Sequence, residues 1–206
     1  MTVSGMELLR NGTAARAALI AVLAATLAAC GSGPAKNDTF SLSATASAVE
    51  GPSARSRQIL VQQPSALKAL DSEQIVIRPS PSEIQYLAQS QWSDSLSKMV
   101  QAKLVQAFEN TGRLGGVGMP GQGLAIDYQI VTDIRSFEVQ TSGGATAVVE
   151  ISAKLLNDRN GTVRAQKVFR AAVPVGGSGS TAFVKGLDAA FAAVTADIVG
   201  WTLKSI

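Results

Sequence analysis

The fold is decided by the stretch Ala147-Val148-Val149-Glu150-Ile151-Ser152-Ala153-Lys154-Leu155. Its odd-numbered residues are apolar, whereas Glu150, Ser152 and Lys154 are polar, and this alternation is typical of a strand with one buried and one solvated face. The turn-forming cluster Asn157-Asp158-Arg159-Asn160-Gly161 follows. The apolar residues of the next segment again share one face: Val163, Ala165, Phe169, Ala171 and Val173. The two segments therefore predict an antiparallel hairpin.

A longer strand is predicted upstream of this hairpin. Its apolar residues alternate along the chain: Leu124, Ile126, Tyr128 and Ile130. The alternation then slips to Phe137 and Val139, which indicates a bulge near Arg135 or Ser136. With the hairpin, this strand predicts an antiparallel meander. Further short strands are predicted at residues 39–42, 58–61, 74–78 and 83–87, the first two flanking a soft loop at 44–56.

Two helices are predicted by apolar residues at helical spacing. The first runs from about Ser93 to Asn110, with Ser93 as its N-cap and Gly112 ending it in the left-handed conformation. The second runs from Thr181 to about Leu203. We interpret the aromatic residues of the two stripes as core: Trp92, Phe108, Phe191 and Trp201. The predicted fold class is α+β, an antiparallel β-sheet with two main α-helices packed on one face.

The N-terminal segment has the layout of an export signal. A polar stretch carries Arg10 and Arg16, and a short apolar run extends from Ala17 to Ala29. This run is shorter than the roughly 20 residues that a helix needs to cross the hydrocarbon of a bilayer. We therefore expect residues 1–29 to be a signal peptide and not a permanent transmembrane helix.

Cys30 is the residue to which a chemical role can be assigned. The run ends Leu27-Ala28-Ala29-Cys30-Gly31, which resembles the lipobox of bacterial lipoproteins, whose cysteine thiol takes the lipid. Cys30 is the only cysteine, so it has no partner for a disulfide within the chain. We predict lipidation at Cys30, a flexible tether over residues 30–37 and one α+β domain over residues 38–206. Gly31, in place of the aspartate that retains enterobacterial lipoproteins on the inner membrane, favours the outer membrane.

Catalysis and metal binding find little support in the composition. The chain has no histidine, which removes Ser/His/Asp triads, Cys/His pairs and the usual zinc ligands. The candidate acidic pairs are scattered and more often lie on the solvated face of a sheet: Asp127 with Asp133, and Glu138 with Glu150. We therefore expect no enzymatic activity, no catalytic residue, no metal and no cofactor. The net charge of +3 includes leader arginines, so the mature chain has no electrostatic footprint for nucleic acid.

Two glycine-rich segments were candidates for phosphate binding. Residues 116–121 match the pattern GxGxxG, but a predicted helix precedes them and a strand follows, the reverse of a dinucleotide site. We interpret them as a mobile connection. Residues 176–181 do lead from a strand into a helix, but they lack the lysine of a P-loop. We interpret these as a turn with Ser180 or Thr181 as the helix N-cap.

Five segments, from Phe40 onward, occur in an order that carries a family resemblance. They are Ile59-Leu60-Val61-Gln62-Gln63-Pro64-Ser65-Ala66-Leu67, Ile75-Val76-Ile77-Arg78-Pro79-Ser80, Glu83-Ile84-Gln85-Tyr86 with Trp92, Val168-Phe169-Arg170-Ala171, and Leu187-Asp188-Ala189-Ala190. Together they resemble the auxiliary lipoproteins of MCE-type ABC transporters. Phe40 stands where the family would have tyrosine, and the aromatic ring is kept.

The resemblance implies a non-enzymatic periplasmic component. Its partners would be an MCE-domain substrate-binding protein and, through it, an ABC permease and ATPase that move lipids or other hydrophobic molecules. We expect the chain to dock the MCE component at the periplasmic face of the outer membrane. The alternative is a lipid-binding carrier whose aromatic residues line a groove. The transported substrate and the oligomeric state, a homo-oligomer included, stay open.

Overall fold

The structure is a computed structural model that describes residues 37–43, 49 and 51–206. Residues Asn37–Ile206 form one compact unit. The predicted signal peptide, Cys30, and the tether up to residue 36 lie outside the described residues. Cys30 lipidation therefore stays a prediction.

Nine strands and two helices are found among the residues that the structure describes. The strands are β1 (Asp38–Phe40), β2 (Ala54–Val61), β3 (Ser65–Ala66), β4 (Gln74–Ser80), β5 (Glu83–Trp92), β6 (Leu114–Gly118), β7 (Tyr128–Gln140), β8 (Thr146–Asn157) and β9 (Val163–Pro174). The helices are α1 (Leu96–Asn110) and α2 (Ser180–Ser205). The predicted hairpin is confirmed as β8 and β9, which pair antiparallel from Thr146 with Pro174 to Leu156 with Val163. The predicted long strand begins later than expected, at Tyr128 instead of Leu124.

All nine strands belong to one sheet built around β7. On one side β7 pairs antiparallel with β8 along its whole length. On the other side it pairs parallel with β2, β3 and β4 in turn. Beyond these, β6 pairs with β2, and β5 and β1 extend the sheet past β4.

The prediction of an antiparallel sheet is therefore only partly correct, because the sheet is mixed. Side-chain periodicity reports which face of a strand is buried and carries no information about the direction of its neighbour. The direction depends on the connections outside the strands. Strands β2, β3 and β4 all run parallel to β7, and the chain between β4 and β7, which contains β5, α1 and β6, is long enough to return in the same direction.

Both helices pack on the same face of the sheet, as predicted. Phe137 of β7 contacts Trp92 and Phe191, with ring centroids 5.9 Å and 5.8 Å apart, and Phe169 of β9 contacts Trp201 at 5.5 Å. Three of the four predicted aromatic core residues are fully buried: Trp92, Phe108 and Phe191. Trp201 is partly buried against the same core. The side chain of Gln101 on α1 donates a 3.0 Å hydrogen bond to the carbonyl of Val61, which joins that helix to β2.

The interpretation of residues 116–121 as a mobile connection is wrong for its first half. Residues Leu114–Gly118 form β6, which pairs with β2. Glycine is required there by close approach, because a Cβ on Gly115 would lie 2.4 Å from the carbonyl oxygen of Arg55. A glycine-rich sequence thus forms a strand that larger residues could not.

The ends of the helices differ from the predicted caps. Helix α1 begins after Ser95 and not at Ser93, and its Leu96 amide donates to the carbonyl of Ser72 at 3.2 Å. Helix α2 is preceded by Gly179 at φ 88°, and neither Ser180 nor Thr181 caps it through its side chain. Both N-termini thus lack a side-chain cap from their own N-cap residue. The prediction for Gly112 is confirmed, because its φ is +59°.

Candidate functional site

The face of the sheet opposite the helices is polar, and no described helix packs on it. We call it the uncovered face. It carries three arginine–carboxylate pairs: Arg78 with Glu138 at 2.7 Å, Arg135 with Asp133 at 3.7 Å, and Arg170 with Glu150 at 3.5 Å. An open sheet face that carries charged side chains in fixed positions is a surface on which a partner can be oriented.

A bulge in β7 lies at the centre of the uncovered face. The pairing of β7 with β8 shifts between Ile134, which faces Ile151, and Ser136, which faces Glu150. The extra residue is Arg135, so the bulge predicted near Arg135 or Ser136 is confirmed. Its side chain is nearly half exposed and separates two cavities, each of which it lines.

The larger cavity, which we call the Glu138 cavity, has a volume of about 520 Å³. Its lining includes Arg78, Pro81, Arg135, Glu138, Gln140 and Ser142. Glu138 is only 2% exposed. Its Oε1 accepts hydrogen bonds from Arg78 Nε at 2.7 Å and from Gln140 Nε2 at 3.1 Å, whereas its Oε2 is buried with no partner among the described residues. Arg78 also donates to the carbonyl of Pro81 at 3.1 Å, which ties the cavity to the turn between β4 and β5.

The smaller cavity, of about 300 Å³, lies on the other side of Arg135. Asp133 accepts a 2.8 Å hydrogen bond from the hydroxyl of Ser65 in the short strand β3. Lys154 and Gln166 contribute the wall formed by β8 and β9. The two cavities together form a polar groove lined by residues of five strands, β3, β4, β7, β8 and β9.

Each of the four carboxylates considered as catalytic candidates has an arginine partner, so no two of them form a free acid–base pair. Asp127 lies 3.5 Å from both Arg57 and Arg159 and accepts a 3.0 Å hydrogen bond from the amide of Gln58. Each of the other three, Asp133, Glu138 and Glu150, is paired with an arginine. Within the described residues, no group of three or more acidic or cysteine side chains could hold a metal ion.

Two residues of the groove, Arg78 and Arg135, are not predicted as site residues by the sequence. In the sequence, Arg78 belongs to a segment that carries the family resemblance, and Arg135 marks the position of a predicted bulge. A signal for Arg135 was present, because an arginine at a bulge is turned away from the regular alternation of its strand. Pairing of Arg78 with Glu138 depends on the parallel contact of β4 with β7, and no local pattern encodes that contact.

The comparison with known families agrees with this fold. A family model described as the ABC-type transport auxiliary lipoprotein component matches residues 40–199. This chain belongs to that family. The resemblance seen in the sequence is thereby confirmed at the level of the family. The description of the family is that of an auxiliary component of ABC-type transport.

One curated protein and two solved structures are similar to this chain. Uncharacterized protein bll6063 of Bradyrhizobium diazoefficiens is 29% identical over 187 residues, which are 85% of this chain and 47% of that protein. The chain thus spans about half the length of this curated relative. The crystal structure of protein XCC0632 from Xanthomonas campestris is 28% identical, covers 81% of this chain and 95% of its own, and superposes with a TM-score of 0.73. A crystal structure of another uncharacterized protein, 18% identical, has the same fold with a TM-score of 0.63, over 80% of this chain and 97% of its own.

Within residues 37–43, 49 and 51–206, no helix combines the length and the apolar character that crossing a bilayer demands.

Proposed function

We propose that this chain is a non-catalytic auxiliary lipoprotein of an MCE-type ABC transport system. In this proposal lipid on Cys30 holds it at the periplasmic face of the outer membrane, where it docks the MCE-domain substrate-binding protein. The system moves lipids or other hydrophobic molecules across the periplasm, and its ATPase subunit hydrolyses ATP. The observation that carries the proposal is the uncovered face with its polar groove, in a chain of the auxiliary lipoprotein family.

The charges of the uncovered face suit a docking surface. Arg78 and Glu138 are held by each other on the sheet, whereas Arg135 and Arg170 are 45% and 52% exposed and present their charge to solvent. Rim charges of this kind raise the rate of encounter and select the partner more than they add affinity. The groove provides a concave surface into which part of such a partner can fit.

A non-catalytic role is supported by the state of the carboxylates. General acid–base catalysis needs a carboxyl group within hydrogen-bond reach of a substrate proton. Asp127, the candidate outside the groove, is 17% exposed and is occupied by two arginines and a backbone amide. These contacts hold the carboxylate as a structural acceptor.

The carrier alternative has less support from the packing. An acyl chain would need an apolar cavity, but Trp92, Phe108 and Phe191 are fully buried in one continuous core. A described cavity next to α2, lined by Val173, Val175 and Ala182 among others, has a volume of about 230 Å³. Ligand pockets are usually larger, at about 300–1,000 Å³.

The proposal is tested by purifying the tagged, lipidated chain from membranes after crosslinking and identifying its partners by mass spectrometry. We expect recovery of an MCE-domain protein. The matched control is Cys30→Ser, which should leave the domain folded but uncleaved and mislocalised, and should lose the partner. Absence of any MCE-domain protein from the crosslinked wild-type sample would reject the proposal. Normal outer-membrane fractionation of Cys30→Ser would reject the role of the anchor.

A further inference from the structure

The Glu138 cavity holds a chemical group whose hydrogen bonding is incomplete. Oε2 of Glu138 is buried and accepts no hydrogen bond from any described residue. A buried carboxylate oxygen without a donor is costly and requires an explanation. Because Oε2 has almost no exposed surface, a lining side chain such as Gln140, whose Nε2 donates to Oε1 at 3.1 Å, must move before a donor from outside can reach Oε2. The cavity of about 520 Å³ beside it has the size of a small-molecule site.

Arg135 adds a positive charge to the lining of the same cavity. The guanidinium of Arg135 is 45% exposed and makes a single loose contact, 3.7 Å, with Asp133. Guanidinium groups bind phosphate and carboxylate groups through two parallel N–H donors. A ligand that satisfies both groups of the cavity therefore carries an N–H donor and an anionic group, and phosphate is the anionic group common to phospholipids.

We propose that the Glu138 cavity binds a phospholipid headgroup that contains a primary ammonium and a phosphate. The ammonium donates to Oε2 of Glu138, and the phosphate lies against Arg135. A quaternary ammonium would be a poor substitute, because it has no N–H to donate. The membrane source of this headgroup rests on the proposed lipidation of Cys30, whereas the chemistry of the cavity does not.

The N-terminal end of β1 points toward the side of the sheet that holds the cavity. Strand β1 runs parallel to β5, with Asp38 beside Ser90, so its N-terminal end points toward the Glu83 end of β5. The turn at that end contains Pro81, which lines the cavity. Residues 31–36 separate Cys30 from Asn37. Extended at most about 3.6 Å per residue, they allow the anchor to lie no farther than about 25 Å from Asn37.

The surface beside the cavity also suits a lipid interface. Ile84 and Tyr86 are exposed large apolar residues, at 39% and 42%. Tyr86 pairs with Val76 and Val76 pairs with Glu138, and paired residues share a face of a sheet. Tyr86 and Glu138 are therefore on the same face. Tyrosine is favoured at membrane interfaces because its ring is apolar and its hydroxyl is polar. A membrane surface that contacts Tyr86 can thus also contact the cavity on the same face.

Calorimetric titration of the mature lipidated chain in detergent tests the chemistry of the cavity. The probes are glycerophosphoethanolamine, glycerophosphocholine and inorganic phosphate. We expect the ethanolamine compound to bind at least about tenfold more tightly than the other two, because each of those lacks one hydrogen bond to a charged group. Glu138→Gln and Arg135→Gln should each weaken that binding by a similar factor, whereas Glu109→Gln, an exposed change on α1, should not. Equal binding of the choline compound or of phosphate, or unchanged binding in Glu138→Gln, would overturn the inference.

A second arm separates the lipid from its soluble headgroup. A photo-crosslinking residue at Ser142, which is exposed at the cavity, is placed in the lipidated chain in vesicles of phosphatidylcholine with or without phosphatidylethanolamine. We expect capture of phosphatidylethanolamine. Binding of the soluble headgroup without capture of the lipid would overturn the membrane source. Because neither arm contains an MCE protein, failure here with the partner still recovered rejects this inference and leaves the docking function standing.

Discussion

Nε of Arg78 donates a 2.7 Å hydrogen bond to Oε1 of Glu138, and the glutamate side chain is only 3% exposed. This pair joins β4 to β7 on the uncovered face, where the two strands run parallel. It therefore holds together the part of the sheet that carries the β4–β5 hairpin and the part that carries the β8–β9 hairpin. A buried ion pair in this place fixes the relative position of the groove walls.

Glu138→Ala should destabilise the domain, because it leaves the guanidinium of Arg78 without its carboxylate in a mostly buried position. We expect a loss of about 3 kcal/mol in the free energy of unfolding, measured by urea denaturation. Glu150→Ala is the matched control, since the Glu150–Arg170 pair is more exposed and should cost no more than about 1 kcal/mol. Equal losses in the two variants would contradict the structural role of Glu138.

Gly115→Ala should disturb the pairing of β6 with β2. The new Cβ would lie 2.4 Å from the carbonyl oxygen of Arg55, a backbone atom that cannot rotate away. We expect a loss of about 1–3 kcal/mol, typical of overpacking, by chemical denaturation. Gly176→Ala provides the comparison, because nothing lies within 4 Å of its Cβ position. A neutral Gly115→Ala would mean that β6 does not approach β2 as closely as described.

Phe191→Ala should open a cavity at the centre of the helix–sheet interface, where Phe191 is fully buried and contacts Phe137 at 5.8 Å. The expected loss is about 3–5 kcal/mol, measured as a shift of the denaturation midpoint at constant slope. Leu67→Ala removes a side chain that is 76% exposed and should leave stability almost unchanged. Similar midpoints for the two variants would argue against Phe191 as a core residue.

The parts of the fold that were predictable from the sequence depend on local periodicity. Alternation in Ala147–Leu155 and in the strand after it corresponds to a hairpin that the structure confirms, and the slip before Phe137 corresponds to the bulge at Arg135. Both helices extend close to their predicted ends. In each case one buried face imposes a pattern on consecutive residues, so the pattern can be read without knowledge of the rest of the chain.

The parts that were missed depend on contacts between distant residues. Gly115 lies in a strand and is glycine because β2 leaves no space there for a side chain. A sequence of glycines is otherwise typical of a loop. The amide of Leu96 is satisfied by the carbonyl of Ser72 from another segment, which the sequence around α1 does not reveal. The groove likewise forms where Arg78 meets Glu138 across 60 residues of chain.

Asp94 should give the N-terminus of α1 a pH-dependent contribution to stability. The amide of Ser95, at 2.7 Å, and then the ammonium of Lys98, at 3.3 Å, hold the pKa of its carboxyl below the ordinary value. A lowered pKa in the folded state stabilises the domain above the unfolded pKa, and the gain is lost as the pH falls through the folded pKa. Asp94→Asn should therefore be less stable than wild type at neutral pH and equal to it in strong acid, by urea denaturation at each pH. A constant difference across the range would contradict this, and Lys98→Met should retain most of the effect.

The uncovered face as the docking surface is tested most directly by site-specific photo-crosslinking in cells. One variant carries the crosslinker at Gln166, which is exposed in the groove, and the other carries it at Lys185, which is exposed on α2. We expect the Gln166 position, and not the Lys185 position, to capture the MCE-domain protein, as identified by mass spectrometry of the crosslinked band. Capture from Lys185 with none from Gln166 would place the partner on the helical side and contradict the proposed docking face.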